Sequence, residues 1–310
     1  MNYVDKNFAW FQEEMQRQTK EEVFLHCKQT YLFLPESIQD GIEQFLNQFG
    51  YWGQLDHRKG IWEELENRVD SIYDHQTEYA WLYQKLGDYR SKKLLFAILN
   101  NWYQFDFMTI KEMMDPTYTH YFDLDLVTCH QEIFVDVGAY IGDTTLDFIH
   151  SYGLDGYRKI YCYEMTEDTI SHLKTNLKDY PNIEVRNKAV SNKVDTFYVD
   201  TKSGEASANV LRDTGEISIE ALTLDEDIQE PISLIKMDIE GSEQAAILGC
   251  QKHIQKDHPT LLISVYHNHE DLWKIPRMIE EIDTNYTFYL RFYGSELFPT
   301  EIVLFAIYQG

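Results

Sequence analysis

Downstream of Asp115-Pro116 the chain alternates short β-rich runs with helical segments, and this alternation restricts the fold more than any other feature. EIFVDVG, KIYCYE, NIEVRNKAV, SLIKMD and TLLISVYH are apolar runs of strand length. TTLDFIHSY, DTISHLKTNLKDY, EQAAILGCQKHI and IPRMIEEI, which separate or follow them, have helical periodicity. Strands joined through helices cannot pair as simple hairpins. They form a parallel sheet with helices over both faces, so the class is α/β. A β-rich excursion, DTFYVD and EISIEALTL, precedes SLIKMD. YTFYLRFYG and EIVLFAIYQ close the chain without an intervening helix. They are expected to form an antiparallel hairpin at one edge of a mainly parallel, seven-stranded, Rossmann-like sheet.

The region before this pattern reads as helical. DYRSKKLLFAILNNWYQF places Leu94, Leu95, Ile98, Leu99 and Trp102 on one face, with Asp88 available as N-cap. HQTEYAWLYQKLG repeats the pattern and stops at Gly87. Residues 1–125 are therefore expected to be a helical N-terminal domain and 126–310 the α/β domain. Flat aromatic rings crowd the helical part and suit a sugar-binding surface, but aromatics more often fill cores, and helix packing is the preferred reading.

With 44% hydrophobic residues the 310-residue chain can bury a sizeable core. Its formal charge is −25, from 52 acids and 27 bases. A field of that sign repels phosphate backbones and anionic lipid, which argues against nucleic-acid and membrane partners. No apolar run approaches the ~20 residues of a membrane span, and MNYVDKNFAWFQEEMQ lacks a signal-peptide pattern. Cys27, Cys129, Cys162 and Cys250 are far apart, as reduced thiols in a cytoplasmic protein would be.

The first strand runs into a glycine turn and then a helix: IFVDVGAYIGDTTLDF. A dinucleotide-binding turn reads G-x-G-x-x-G because pyrophosphate approaches the backbone closely. Here Asp136 precedes Gly138, three residues separate it from Gly142, and Tyr140 stands between them. An acid there would repel pyrophosphate but favour a ligand carrying an ammonium and a sulfonium, such as S-adenosylmethionine. Glu164, at the end of KIYCYE, is placed to accept ribose hydroxyls.

VDVGAYIGDTT taken together with SLIKMDIEGSE, an intervening LTLDE and the closing PTLLISVYH resembles the FkbM-type methyltransferase family. The resemblance runs from about Glu132 to the C-terminus; the helical part is similar to the N-terminal extension of one branch. It implies an S-adenosylmethionine-dependent methyltransferase acting on a hydroxyl of a sugar, polysaccharide or related natural product. The cofactor positions it implies are Asp136, Gly138, Gly142 and Glu164, with Tyr140 and Asp143 in the same turn and Asn187 and Ala189 at the adenine edge. Asp238, Glu240 and Glu243 match the acids of the second motif. Tyr140, where Asn is usual, and Met165, where Pro usually follows the acid, depart from the pattern.

A hydroxyl nucleophile needs a base. His267, ending the fifth strand, is the preferred candidate, since an imidazole is half-neutral near physiological pH. Asp238 is expected to orient the acceptor or act as base itself and also to meet the cofactor. Lys236, two residues earlier, shares its face and could pair with it. Glu240 and Glu243 equally suit a helix cap. No metal is the main expectation; a magnesium variant would use Asp238 with Asn268 or His269. The expected partner is a small-molecule or glycan acceptor, with a homodimer possible. The alternatives are a non-catalytic glycan- or protein-binding module and an NAD-dependent oxidoreductase.

Overall fold

The computed structural model describes residues 1–199, 217–295 and 297–310. They divide into two compact units: Met1–Asp115 with Val265–Pro276 and Thr287–Leu304, and Pro116–Ser264 with Arg277–Tyr286 and Phe305–Gly310. The first unit's opening segment ends at Asp115, next to Pro116, where the sequence pattern changes. The first unit also includes two segments from the C-terminal half, which no local signal marks.

The first unit is helical: α1 (Tyr3–Arg17), α2 (Lys20–Leu32), α3 (Glu36–Phe49), α4 (Glu63–Asp74), α5 (Gln76–Lys85), α6 (Tyr89–Gln104) and α7 (Phe107–Lys111), with a small antiparallel ribbon of β1 (Leu55–Asp56) and β2 (Ile61–Trp62). Helix starts follow ordinary capping chemistry. Thr19 and Glu22 form a reciprocal capping box at α2, and Asp88 accepts the Ser91 N–H at 2.7 Å to start α6. The predicted α6 face, Leu94, Leu95, Ile98, Leu99 and Trp102, is buried. Several of the Tyr and Trp here are packed inside, among them Tyr31, Tyr79, Trp52 and Trp102.

A buried ion pair with a histidine beside it lies within this core. Arg68 donates through Nε and a terminal nitrogen to Glu64 Oε1 at 2.9 and 2.8 Å, and His269 Nε2 lies 3.2 Å from the same oxygen. Burial alone would raise the Glu64 carboxyl, but Arg68 and His269 hold it below its ordinary range. The residues that follow Ser264 are fastened to the helices through their carbonyls. Trp52 Nε1 donates to Tyr266 O at 2.7 Å, and Ser71 Oγ donates to His269 O at 3.1 Å.

The second unit supplies the parallel core of the sheet. β3 (Glu132–Val137) pairs in parallel with β4 (Tyr157–Glu164) and with β9 (Leu234–Met237). β4 pairs with β5 (Ile183–Asn187) and β9 with β10 (Thr260–Ser264), both parallel. α13 (Asp271–Ile282), β11 (Tyr286–Phe292) and β12 (Ile302–Tyr308) complete the chain, and the seven strands run in the order β11-β12-β10-β9-β3-β4-β5. This is the expected mostly parallel sheet, with the last two strands at one edge. Phe134, Val135, Ile160, Ile235, Leu261 and Leu262 are fully buried, which is why these strands read as unbroken apolar runs. α8 (Asp143–Tyr152), α9 (Glu167–Leu177), α11 (Glu243–Leu248) and α12 (Gln251–Asp257) connect them, with a short α10 (Leu224–Asp227).

Two predicted elements are divided. NIEVRNKAV yields β5 and then β6 (Ala189–Val190), which joins β8 (Ile217–Leu222) and β7 (Asp195–Val199) in a separate three-stranded sheet. Asp200 and Glu216, at the ends of the predicted excursion strands, lie outside the described residues. EQAAILGCQKHI breaks into α11 and α12 at Gly249, where a Cβ would stand 2.0 Å from Ser191 O, so only glycine permits the approach.

From β3 the order proceeds to β4 and β5 on one side, and to β9 and β10 on the other. The carboxyl ends of β3 and β9 therefore flank a topological switch point, where open α/β sheets hold ligands. Among the described residues no helix is long and apolar enough to cross a membrane.

Arg68→Met would leave the buried Glu64 carboxylate without its main cation, and a loss of ~3–5 kcal/mol is expected in urea unfolding. Glu64→Leu combined with Arg68→Met should recover much of it. A single variant as stable as the parent would show that the pair does not hold this unit together.

Candidate active site

Where β3 ends, Gly138 takes φ +79° and a Cβ there would lie 1.9 Å from Asp238 O, so no side chain fits. The Gly138 and Ala139 N–H groups both donate to Tyr163 O at 3.0 Å, tying the turn to β4. Gly142, at φ +88°, precedes α8, which begins at Asp143. Tyr140, between the glycines, also has a positive φ, of 46°, and its N–H donates to Glu164 Oε2 at 3.1 Å. Glu164 Oε1 accepts the Thr166 N–H at 2.8 Å. Burial raises the Glu164 carboxyl above its ordinary range in spite of these donors.

Asp136 is fully buried beneath the turn. Its Oδ1 lies 3.0 Å from Lys236 Nζ and its Oδ2 accepts the Thr145 hydroxyl at 2.7 Å. The two charged residues are Cα partners in the β3–β9 register, and Lys236 also donates to Gly138 O at 2.7 Å. Lys236 thus pairs with Asp136, across the strands.

Above this pair is a cleft enclosing about 860 Å³, its open mouth included. Its walls come from the turn (Gly138, Tyr140, Asp143, Thr144), the end of β4 (Tyr163, Glu164, Met165), the β5–β6 segment (Lys188, Ala189, Val190) and the end of β9 (Lys236, Asp238, Ile239, Glu240, Ser242). The carboxylates lining it are Asp143, Glu164, Asp238 and Glu240; its ammonium groups, Lys188 and Lys236, are paired with Glu220 and Asp136. Such a wall suits a ligand with cationic and hydroxyl groups and disfavours a pyrophosphate.

Of the sequence-derived candidates, Gly138, Tyr140, Asp143, Glu164, Ala189, Lys236 and Asp238 come together in this cleft. Asp136 and Gly142 lie under it as supports, and Asn187 stands opposite Glu164 in the β4–β5 register. Glu243, the first residue of α11, accepts the Ile239 N–H at 2.8 Å and so ties the segment after β9 to the helix start. His267 belongs to the first unit, is 1% exposed, and packs against Tyr51 and Tyr266. Asn268 donates to Asp271, and His269 is committed to Glu64.

The sequence profile described as the methyltransferase FkbM domain matches residues 136–296, more than half of the chain. The chain belongs to the FkbM methyltransferase family. Among solved structures, the FkbM methyltransferase from Methylobacillus flagellatus KT is 25% identical, with a TM-score of 0.66. The match covers 85% of this chain and 65% of that one, so the chain spans 65% of that protein's length. An rRNA methylase from Streptococcus thermophilus is a more distant match, 14% identical at a TM-score of 0.39, over 59% of this chain and 90% of that one. No curated protein matches the sequence.

Sequence reasoning missed one participant. Tyr121, in the segment before β3, donates its hydroxyl to Asp238 Oδ2 at 2.8 Å. YFDLDLV has no pattern that marks a site, so only the three-dimensional structure finds it.

Lys236→Met in this FkbM-family protein would leave the buried Asp136 unpaired and is expected to cost ~3–5 kcal/mol. Burial disfavours the Lys236 cation, but Asp136 and Asp238 outweigh it and raise its pKa above 10.5. The group contributes stability that is complete below the unfolded value of 10.5 and lost as pH rises through the higher folded value. Urea midpoints of parent and variant should converge above that pH; a gap constant through the alkaline range would refute the assignment.

Proposed function

We propose that the cleft binds S-adenosylmethionine and that the protein transfers its methyl group to a hydroxyl of a sugar, polysaccharide or related natural product. The observation that carries this reading is the acid-lined cleft at the β3/β9 switch point, with Glu164 at the end of β4. The residues fit the cofactor: Glu164 would accept ribose hydroxyls, Ala189 and Val190 would offer an apolar edge to the base, and Asp143 and Asp238 would complement an ammonium and a sulfonium. When bound, the cofactor supplies an electrophilic methyl on a good leaving group.

The chain's own contribution is then alignment, exclusion of water and removal of the acceptor's proton. Asp238 lines the cleft, which favours it as proton acceptor. His267, the base preferred from the sequence, is the other candidate. Lys236, engaged by Asp136 and Gly138 O, holds the turn in place. The four cysteines are unbridged, in keeping with a cytoplasmic enzyme. The helical N-terminal region is assigned to acceptor selection or dimerisation.

Calorimetric titration with S-adenosylhomocysteine tests the cofactor assignment. Micromolar binding is expected, falling about 10–100-fold in Glu164→Ala, or ~1.4–2.8 kcal/mol. Because the Glu164 carboxyl is raised, affinity should weaken as pH falls, and at a higher pH than an unshifted carboxylate would give. NAD binding in place of S-adenosylhomocysteine would reject the reading.

A further inference from the structure

We infer that Tyr121 is a positioning residue for the reaction, holding Asp238 as an aimed, ionised carboxylate through a hydrogen-bonded series that starts at Ser264. The assignment rests on the methyltransferase reading of the cleft, and its geometry lies entirely within the second unit. The Tyr121 hydroxyl is 2.8 Å from Asp238 Oδ2 and 2.9 Å from Ser264 Oγ. A phenol has a single proton. With that proton given to Asp238, the Ser264 hydroxyl is the donor to Tyr121, so the series runs Ser264 to Tyr121 to Asp238.

Three further features single out this tyrosine. It is only 2% exposed, so its hydroxyl is spent on protein partners. Its backbone lies at φ +71°, a strained setting for an aromatic residue, of the kind that collects at functional sites. Its ring has two close neighbours: His120 stacks on it with centroids 3.9 Å apart, and the Lys236 ammonium lies 5.4 Å from its centroid. A phenol so confined has little freedom to turn away from Asp238.

Within this unit the other charged or titratable groups near Asp238 are Lys236 and Asp136 below it, His120 beside Tyr121, and Glu240 and Glu243 just beyond it in the chain. Burial pushes the His120 imidazole down to about 4, so it is neutral at physiological pH and does not supply the cation that Asp238 would otherwise use. In the proposed reaction the acceptor oxygen forms its bond to the methyl carbon as the carbon–sulfur bond breaks, and the hydroxyl proton passes to the Asp238 carboxylate. A donated hydrogen bond favours the ionised carboxylate and fixes its plane. Tyr121 therefore acts through Asp238 and need not touch the acceptor.

The test is a carbon-13 carboxyl titration of the full chain labelled at aspartate, with the Asp238 resonance identified by its loss in Asp238→Asn. Tyr121→Phe should raise the Asp238 pKa by about one unit, a tenfold change in proton affinity. Ser264→Ala should move it the same way by less. S-adenosylhomocysteine affinity should remain within about twofold in both variants, which a collapsed cleft would not allow. An unmoved Asp238 titration in folded Tyr121→Phe would overturn the inference; if that variant does not fold, an unmoved titration in Ser264→Ala would do so. Failure of the parent protein to bind S-adenosylhomocysteine would instead reject the cofactor reading, and the carboxyl titration would still decide the hydrogen bond.

Discussion

The buried pair of Asp136 and Lys236 sits on the two central strands, and the turn above is built on it. Removing two charges from water costs several kcal/mol each unless their remaining hydrogen-bonding capacity is filled. Here Asp136 accepts the Thr145 hydroxyl and Lys236 donates to Gly138 O. The ammonium thus binds the β3 carboxylate and the first carbonyl of the turn together. That draws the turn against the end of β9 so closely that Gly138 has no room for a Cβ beside Asp238 O. The strand register, the glycine and the location of Asp238 are all consistent with this one contact.

Much of this architecture was legible in the sequence, because strand-length apolar runs alternating with helical periodicity admit few arrangements. The parallel sheet, the edge position of the last two strands and the glycine turn follow from patterns a few residues long. Long-range pairing was harder to read. Asp136 looked like a charge offered to a ligand, and only its strand partner Lys236 shows it to be neutralised in place. Tyr121 is one tyrosine among 22, and nothing around it distinguishes it until the fold brings it to Asp238. The division of NIEVRNKAV between two sheets was equally invisible, since Ala189 and Val190 have the same apolar character whichever strand they pair with.

Neutralising Asp136 does not remove the argument against a phosphate ligand; it relocates the charge. The acids that line the cleft are Asp143, Glu164, Asp238 and Glu240, and both of its lysines are engaged by carboxylates. A pyrophosphate site needs unopposed N–H groups and cations at the helix start. Here the Tyr140 N–H is already donated to Glu164, and Asp143 opens the helix. The wall that disfavours a phosphate ligand therefore comes from four side chains contributed by two strand ends and a helix start, and no single residue of the turn supplies it.

The chain leaving β10 is governed by different constraints. Ser264 ends that strand, and the next residue belongs to the helical unit. There Trp52 holds the carbonyl of Tyr266, Ser71 holds that of His269, and Glu64 holds the His269 ring. Backbone carbonyls accept such bonds whatever side chain the residue carries. The helices thus set the path of this segment through its backbone.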